Sequence, residues 1–396
     1  LNTAKKNVGV LAVCQALLNS NNSMLAVTAA LVGYSMLGSD KTLATVPVSA
    51  MVIGTAIATM PAALLMRRIG RRAGFRVGIL LGITGASVSA FSLFSGNFWL
   101  FTFGILLLGM NTAFGQHYRF AAADVATRDF KAKAISYVLA GGVIAAWAGP
   151  EIAKWTVDII PNVRFLGPYL AMIVVSMVAF VTLGFVDIPR PTEKERAEVG
   201  RPFWEIARQP VFYVAALSAL IGFSVMVLLM TATPIAMLHF NHEFHDAAFV
   251  IQWHAVAMFA PSFFTGTLIN RFGVLAIILT GVGMMSAAIV TALLGDSVPH
   301  FWVTLVLVGI GWNFMFIGGT TLLTESYTEA EKAKVQGAND MIVFGMVAVS
   351  SLSSGILLQT FGWGAVVLGA IPLVAVAGVA VVVFAFLRRQ RAAAAT

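Results

Sequence analysis

Residues 266–273 read Gly266-Thr267-Leu268-Ile269-Asn270-Arg271-Phe272-Gly273, a brief polar turn that joins the apolar run 247–269 to the apolar run 274–295. Each run exceeds the roughly 20 residues that a helix needs to cross a hydrocarbon core about 30 Å thick. A turn this short, with one cation and a glycine at its end, predicts two antiparallel helices that reverse at a membrane surface. The same arrangement stands about 200 residues earlier, where Arg68-Ile69-Gly70 separates the runs 42–66 and 74–95.

Working outward, apolar runs of spanning length occupy 8–36, 42–66, 74–95, 97–124, 132–157 and 165–187, then 209–240, 247–269, 274–295, 299–325, 333–360 and 363–387. The prediction is an all-α membrane protein of twelve helices. Composition agrees: of 396 residues, 59% are hydrophobic and only 11% charged, and mean hydropathy is +0.89. Soluble domains are about a quarter charged, and each ionised group in lipid is costly. The net charge of +8 sits in short loops and forms no basic stripe for nucleic acid. A cleavable signal peptide is not expected, because the first apolar stretch is too long and continues into the fold. The single cysteine, Cys14, excludes an intrachain disulfide. No Walker-type loop and no nucleophile–base constellation occurs, so neither ATP-driven pumping nor enzymatic activity is expected.

Placing the N-terminus, the even-numbered loops and the C-terminus on one side gathers 21 of the 25 Lys and Arg residues there. Lys41, Lys154 and Arg164 fall on the other side, and Arg119 lies within a helix. Positive-inside bias then puts both termini in the cytoplasm, with the lipid bilayer as the chain's constant partner. Between the sixth and seventh runs, 187–208 carries five acidic and five basic residues with Pro189, Pro191 and Pro202. The expected organisation is an N-terminal six-helix half (1–187), a cytoplasmic linker (188–208) and a C-terminal six-helix half (209–396).

The halves repeat. Gly109-Met110-Asn111 matches Gly311-Trp312-Asn313, Lys131-Ala132-Lys133 matches Lys332-Ala333-Lys334, and Arg68-Ile69-Gly70 matches Arg271-Phe272-Gly273. Parallel six-helix repeats imply a rocking transporter with its site near the midplane. Over its whole length the chain resembles the major facilitator superfamily, whose loop motif Gly-x-x-x-Asp-Arg-x-Gly appears as Gly266 to Gly273 with Asn270 in place of the acid. In the first half Ala63 and Arg67 occupy the glycine and acid positions, so a latch built on that acid must be made differently here.

Two helix-spaced pairs stand on consecutive runs, Met226-x-x-x-Met230 and His254-x-x-x-Met258. Residues four apart share a helix face, and thioether with imidazole suits soft copper(I). Counting at 1.5 Å per residue from the outer helix ends puts Met230 and Met258 both roughly 15 Å deep. His254 would then lie one turn further out and Met226 one turn further in. Packing is the competing reading, because methionine fills irregular gaps and an intramembrane histidine can be structural. The paired motifs are similar to the signature of CcoA-type bacterial copper importers, the CalT-like branch of the superfamily. That resemblance implies copper uptake across a bacterial inner membrane for haem–copper oxidase assembly, with copper as transported substrate and no resident cofactor. The alternatives are a proton-coupled carrier of a small organic solute such as riboflavin, and a copper-binding sensor or assembly factor. A monomer is expected, with copper donor and acceptor proteins unassigned.

Other polar positions carry weaker signals. Met237, His239, His242 and His245 are candidates for an external access route for copper; the favoured reading is a packing methionine and a solvated polar loop. Gln116 and His117, with Asn111 and Asn313, are candidate cavity-lining groups or interhelical bridges. Arg67, Arg119, Asp340 and Glu151 are candidate gate or coupling residues, since an intramembrane arginine needs an acidic or carbonyl partner. Asp124 and Asp340 both lie at a suitable depth for Arg119, and pairing of Asp340 with Arg67 or Arg68 would replace the missing loop acid.

Overall fold

The computed structural model describes residues 2–37, 43, 46–161, 163–189 and 200–394, and no strand occurs among them. Lys41 and Pro191 lie outside the described residues. The helices are α1 (Asn2–Met36), α2 (Val46–Ile69), α3 (Arg71–Ser95), α4 (Phe98–Gln116), α5 (Tyr118–Val125), α6 (Lys131–Thr156), α7 (Leu166–Thr182), α8 (Phe203–Ala207), α9 (Pro210–His239), α10 (Phe244–Phe259), α11 (Ser262–Phe272), α12 (Val274–Leu294), α13 (Val298–Leu323) and α14 (Lys332–Ala394). Helices α4 and α5 form one span, Phe98–Val125, and α10 and α11 form another bent by 42°. Helix α14 has 63 residues, or roughly 95 Å at 1.5 Å per residue, three times a bilayer core. Gly362 (φ 80°, ψ −179°) breaks it into two spans, so the described helices supply the expected twelve.

Why the chain turns where it does is visible at two equivalent glycines. Gly70 (φ 88°, ψ 158°) separates α2 from α3, and Gly273 (φ 88°, ψ 150°) separates α11 from α12. A side chain at this positive φ would be strained, so glycine permits a one-residue reversal. Within spans, small residues bring backbones together, because lipid offers no hydrophobic drive for helix association. A Cβ at Gly109 would stand 2.1 Å from the Met51 carbonyl oxygen, and one at Gly54 only 2.3 Å from that of Leu106. These contacts knit α2 to α4.

By contacts the chain forms two compact units. Unit 1 comprises Leu1–Thr127, Tyr137–Val199 and Glu329–Phe344, and unit 2 comprises Arg128–Ser136, Gly200–Thr328 and Gly345–Thr396. In unit 1 a core of Met24, Val32, Phe101, Leu108, Tyr169 and Met172 draws on α1, α4 and α7. The Phe101 and Tyr169 rings meet edge to face at 5.5 Å. In unit 2, α13 is the central post against which α9, α10 and α12 all pack.

The two segments that cross the sequence-drawn halves, Arg128–Ser136 and Glu329–Phe344, contain the repeated Lys-Ala-Lys motifs. Each meets a loop-motif helix. In unit 2 a Cβ on Gly266 would lie 2.6 Å from Lys133 Cα, the Gly266 N–H donates to Ser136 Oγ at 3.1 Å, and Asn270 donates to the Asp129 carbonyl at 2.5 Å. In unit 1 the first-half position is Ala63, and the small partner moves across: a Cβ on Gly337 would lie 2.9 Å from Ala63 Cβ. The glycine absent from the first motif has been replaced by one on the facing helix.

Candidate functional site

The four metal candidates lie in unit 2 on α9 and α10, and α13 serves as their ruler. Gly222 of α9 abuts Met315, while Gly309 abuts the backbone of α10 between His254 and Met258. Helix α9 runs antiparallel to α13 and α10 runs parallel to it. Counting along these helices puts Met230 level with His254, and Met226 level with Met258. This corrects the depth count from the helix ends, which paired Met230 with Met258; the ends are poor origins because α9 and α10 begin and stop at different heights. Met226, His254 and Met258 are buried and Met230 is half-buried.

His254 Nδ1 sits 2.7 Å from the Leu305 carbonyl oxygen. A carbonyl only accepts, so Nδ1 carries the proton and Nε2 keeps its lone pair. Nε2 is buried and has no hydrogen-bond partner among the described residues. Met258 stands at the start of the bend into α11, where Pro261 removes a backbone donor. Asn313 of α13 covers the break, its amide nitrogen donating to the Met258 carbonyl at 2.7 Å and to Ser262 Oγ at 2.6 Å. Thr265 completes the set by donating to Asn313 Oδ1 at 2.7 Å. Asn313 is therefore a bridge at a helix bend. Its repeat partner Asn111 faces α3, where a Cβ on Gly82 would touch its amide at 2.6 Å.

Beside these candidates stands an aromatic wall that sequence reasoning missed. Trp312 and Phe316 of α13 stack at 5.1 Å, with 15° between their planes. Phe223 of α9 meets both edge-on, at 5.4 and 5.3 Å, and Phe259 of α10 meets Trp312 at 5.7 Å. Trp312 and Phe316 are buried, whereas Phe223 and Phe259 are half-buried and keep part of their rings accessible. The Trp312 indole N–H is buried without an acceptor among the described residues. The i, i+4 spacing of Trp312 and Phe316 was the available signal, but three helices contribute and no single segment shows the group.

A second polar assembly lies in unit 1. Arg119 Nη2 donates to Asp340 Oδ1 at 2.6 Å, and both side chains are almost wholly inaccessible, at 1% and 0%. Arg119 Nη1 donates to Gln116 Oε1 at 2.8 Å, and the guanidinium lies 4.6 Å over the Phe120 ring. Asn339 donates to Asp340 Oδ1 at 3.0 Å. Nearby, Arg71 bridges Asp124 at 2.9 Å and Gln336 Oε1 at 2.6 Å, and Lys332 approaches Asp124 at 3.5 Å. Asp340 thus pairs with Arg119; the alternative pairing with Arg67 or Arg68 is not formed. Arg67 instead lines a cavity of about 200 Å³ with Arg71, Asp124, Glu329 and Lys332. Through Arg71, the residues Asp124 and Gln336 tie α3, α5 and α14 together within unit 1.

The Major Facilitator Superfamily profile matches residues 11–260 and 215–396. The chain belongs to this superfamily. Among superfamily members, riboflavin transporter RfnT of Brucella anthropi is 42% identical over 374 residues, covering 94% of each chain. The uncharacterized MFS-type transporter YdeG of Bacillus subtilis is 29% identical, covering 83% of this chain and 80% of its own. Among solved structures, the human organic anion transporter MFSD10 superposes with a TM-score of 0.78 at 12% identity, covering 96% and 99% of the two chains. The outward conformation of FucP gives 0.73 at 14% identity, over 94% and 97%. This superfamily chain is accordingly a multi-pass secondary transporter.

The remaining superfamily positions singled out from sequence are dispersed. His242 is tied through Nε2 to the Asp296 carbonyl at 2.6 Å, and His239 and His245 are exposed. Glu243 and Asp246 form a capping box at the start of α10. No group of three His, Cys, Asp or Glu side chains suited to a metal occurs among the described residues. Met237 is fully buried. His117 Nε2 lies 3.4 Å from the Thr59 carbonyl, joining the α4–α5 junction to α2. Glu151 is half-buried on α6.

Proposed function

We propose that this superfamily member carries a planar heteroaromatic solute of the riboflavin type across the bacterial inner membrane. The observation that carries the reading is the wall of Phe223, Phe259, Trp312 and Phe316 near the middle of α13, with one indole N–H unused. A flavin ring system can stack on the accessible faces of Phe223 and Phe259, and its ring carbonyls can accept from Trp312. The relative RfnT, 42% identical, bears the name riboflavin transporter, which supports the same solute class. Met226 and Met230 would flank the ring as polarizable packing, and rocking of the repeats would supply alternating access.

Copper(I) import is the second reading, favoured by one observation: the bare, buried Nε2 of His254 with Met258 one turn along and its Nδ1–H fixed on a carbonyl. A metal-ligating histidine carries its other ring proton in the same way.

One assay separates the two. Cells or vesicles are given labelled riboflavin and, in parallel, labelled copper. Loss of one stacking partner is worth about 1–3 kcal/mol per ring, so Phe223→Ala should raise the riboflavin KM about tenfold while Met226→Leu with His254→Gln leaves uptake largely intact. Copper uptake abolished by the methionine and histidine changes, with no riboflavin flux in the wild type, would reverse the assignment.

A further inference from the structure

We propose that Asp340 is the proton-carrying group of the transport cycle, and that its bond to Arg119 locks the Glu329–Phe344 segment into unit 1 until a proton arrives. The inference deepens the transport reading by naming a coupling ion and the residue that takes it.

Three observations converge on Asp340. Its Oδ1 is held by Arg119 and Asn339, at 2.6 and 3.0 Å. Its Oδ2 is buried and accepts no hydrogen bond among the described residues. Its helix segment contributes further charge to unit 1 through Lys332, which shares Asp124 with Arg71. A carboxylate with one oxygen committed and the other bare and inaccessible has a site open for a proton.

The groups facing it set the consequence. Arg119 and His117 come from the α4–α5 span, Asp124 from α5, Arg71 from α3, Arg67 from α2, and Lys332, with Glu329 and Glu331 beside it, from the segment that carries Asp340. Counting Arg67, Arg71, Arg119 and Lys332 against Asp124, Glu329, Glu331 and Asp340 leaves the inner cluster neutral; a proton on Oδ2 gives it one excess positive charge. The new O–H bond removes the anion that holds Arg119, and the cationic cluster then repels Lys332 and loosens the segment. The proton later passes from Oδ2 to water, and the Arg119–Asp340 bond re-forms. Gln116 and the Phe120 ring hold Arg119 in the interval, so the guanidinium need not leave its place.

The test uses the full chain in liposomes with two readouts. The first compares riboflavin exchange at equal pH with accumulation driven by a pH gradient. Wild type should do both; Asp340→Asn should keep exchange and lose accumulation. Because Asp340→Asn leaves a buried cation, the paired variant Arg119→Gln with Asp340→Asn is measured alongside, with the same loss expected. The second readout needs no substrate: an infrared carboxylic-acid carbonyl band that grows on acidification in wild type and is missing from Asp340→Asn. Accumulation retained by the paired variant, accumulation lost through His117→Gln but not through Asp340→Asn, or an unchanged band in Asp340→Asn would overturn the proposal. A wild type that exchanges no riboflavin removes the flavin reading alone, and the infrared band still decides the role of Asp340.

Discussion

Arg119 and Asp340 show what a charged side chain demands inside an apolar bundle. Neither could be held there singly, because desolvation of one ion is repaid only by a well-placed opposite charge and further hydrogen bonds. Here Gln116, Asn339 and the Phe120 ring supply the extra contacts. Removing one member should therefore cost far more than removing both. Asp340→Ala is expected to lower stability by about 3–5 kcal/mol, while Arg119→Met with Asp340→Leu should stay near wild type. Thermal unfolding of purified protein in detergent reads the difference, and equal losses for the single and double changes would count against a buried, mutually dependent pair. The aromatic residues obey a different economy. Trp312 packs against the rings of Phe223, Phe259 and Phe316, and its N–H, buried without an acceptor among the described residues, would be tolerable at a site that meets a polar solute, as proposed.

At the scale of elements, the loop motif and the helix it faces behave as one complementary joint. In unit 2 the joint places a glycine, Gly266, against Lys133; in unit 1 it places Ala63 against Gly337. Gly337→Ala should cost about 1–3 kcal/mol through overpacking, and Ala63→Gly introduced with it should recover most of that loss. The same thermal assay measures both, and failure of the second change to compensate would mean that the two positions do not share one contact.

This joint also shows why sequence spoke clearly on some matters and not on others. Span number, the reversals at Gly70 and Gly273 and the Lys-Ala-Lys repeats are local patterns, readable along one segment. The crossing of Glu329–Phe344 into unit 1 is not, because a facing glycine 274 residues away from Ala63 leaves no local trace. Counting along a helix gives depth to about a turn and no direction around the axis. For that reason Asp340 could be assigned equally to Arg67, Arg68 or Arg119, and Met230 was matched with the wrong level of α10. The aromatic wall was illegible for a related reason: rings from α9, α10 and α13 meet only after packing.

For the whole molecule, orientation in the membrane rests on charge. Assigning the termini, the loop-motif turns and the Lys-Ala-Lys helix starts to one side gathers 21 of 25 basic residues there. During insertion, loops of this length follow the positive-inside bias, since moving Lys or Arg across the bilayer is disfavoured. By the order of the spans, both cationic loop-motif turns, around Gly70 and Gly273, are expected on that side, together with Arg71, Asp124 and Lys332. Cytoplasmic placement of this face would put the proposed proton release from Asp340 on the same side as solute delivery, as import requires. A fluorescent protein fused after the last helix should then be bright, and alkaline phosphatase inserted at Ser297, between α12 and α13, should be active. Phosphatase activity from the terminal fusion, with none at Ser297, would invert the molecule and turn the same latch and aromatic wall into the parts of an exporter.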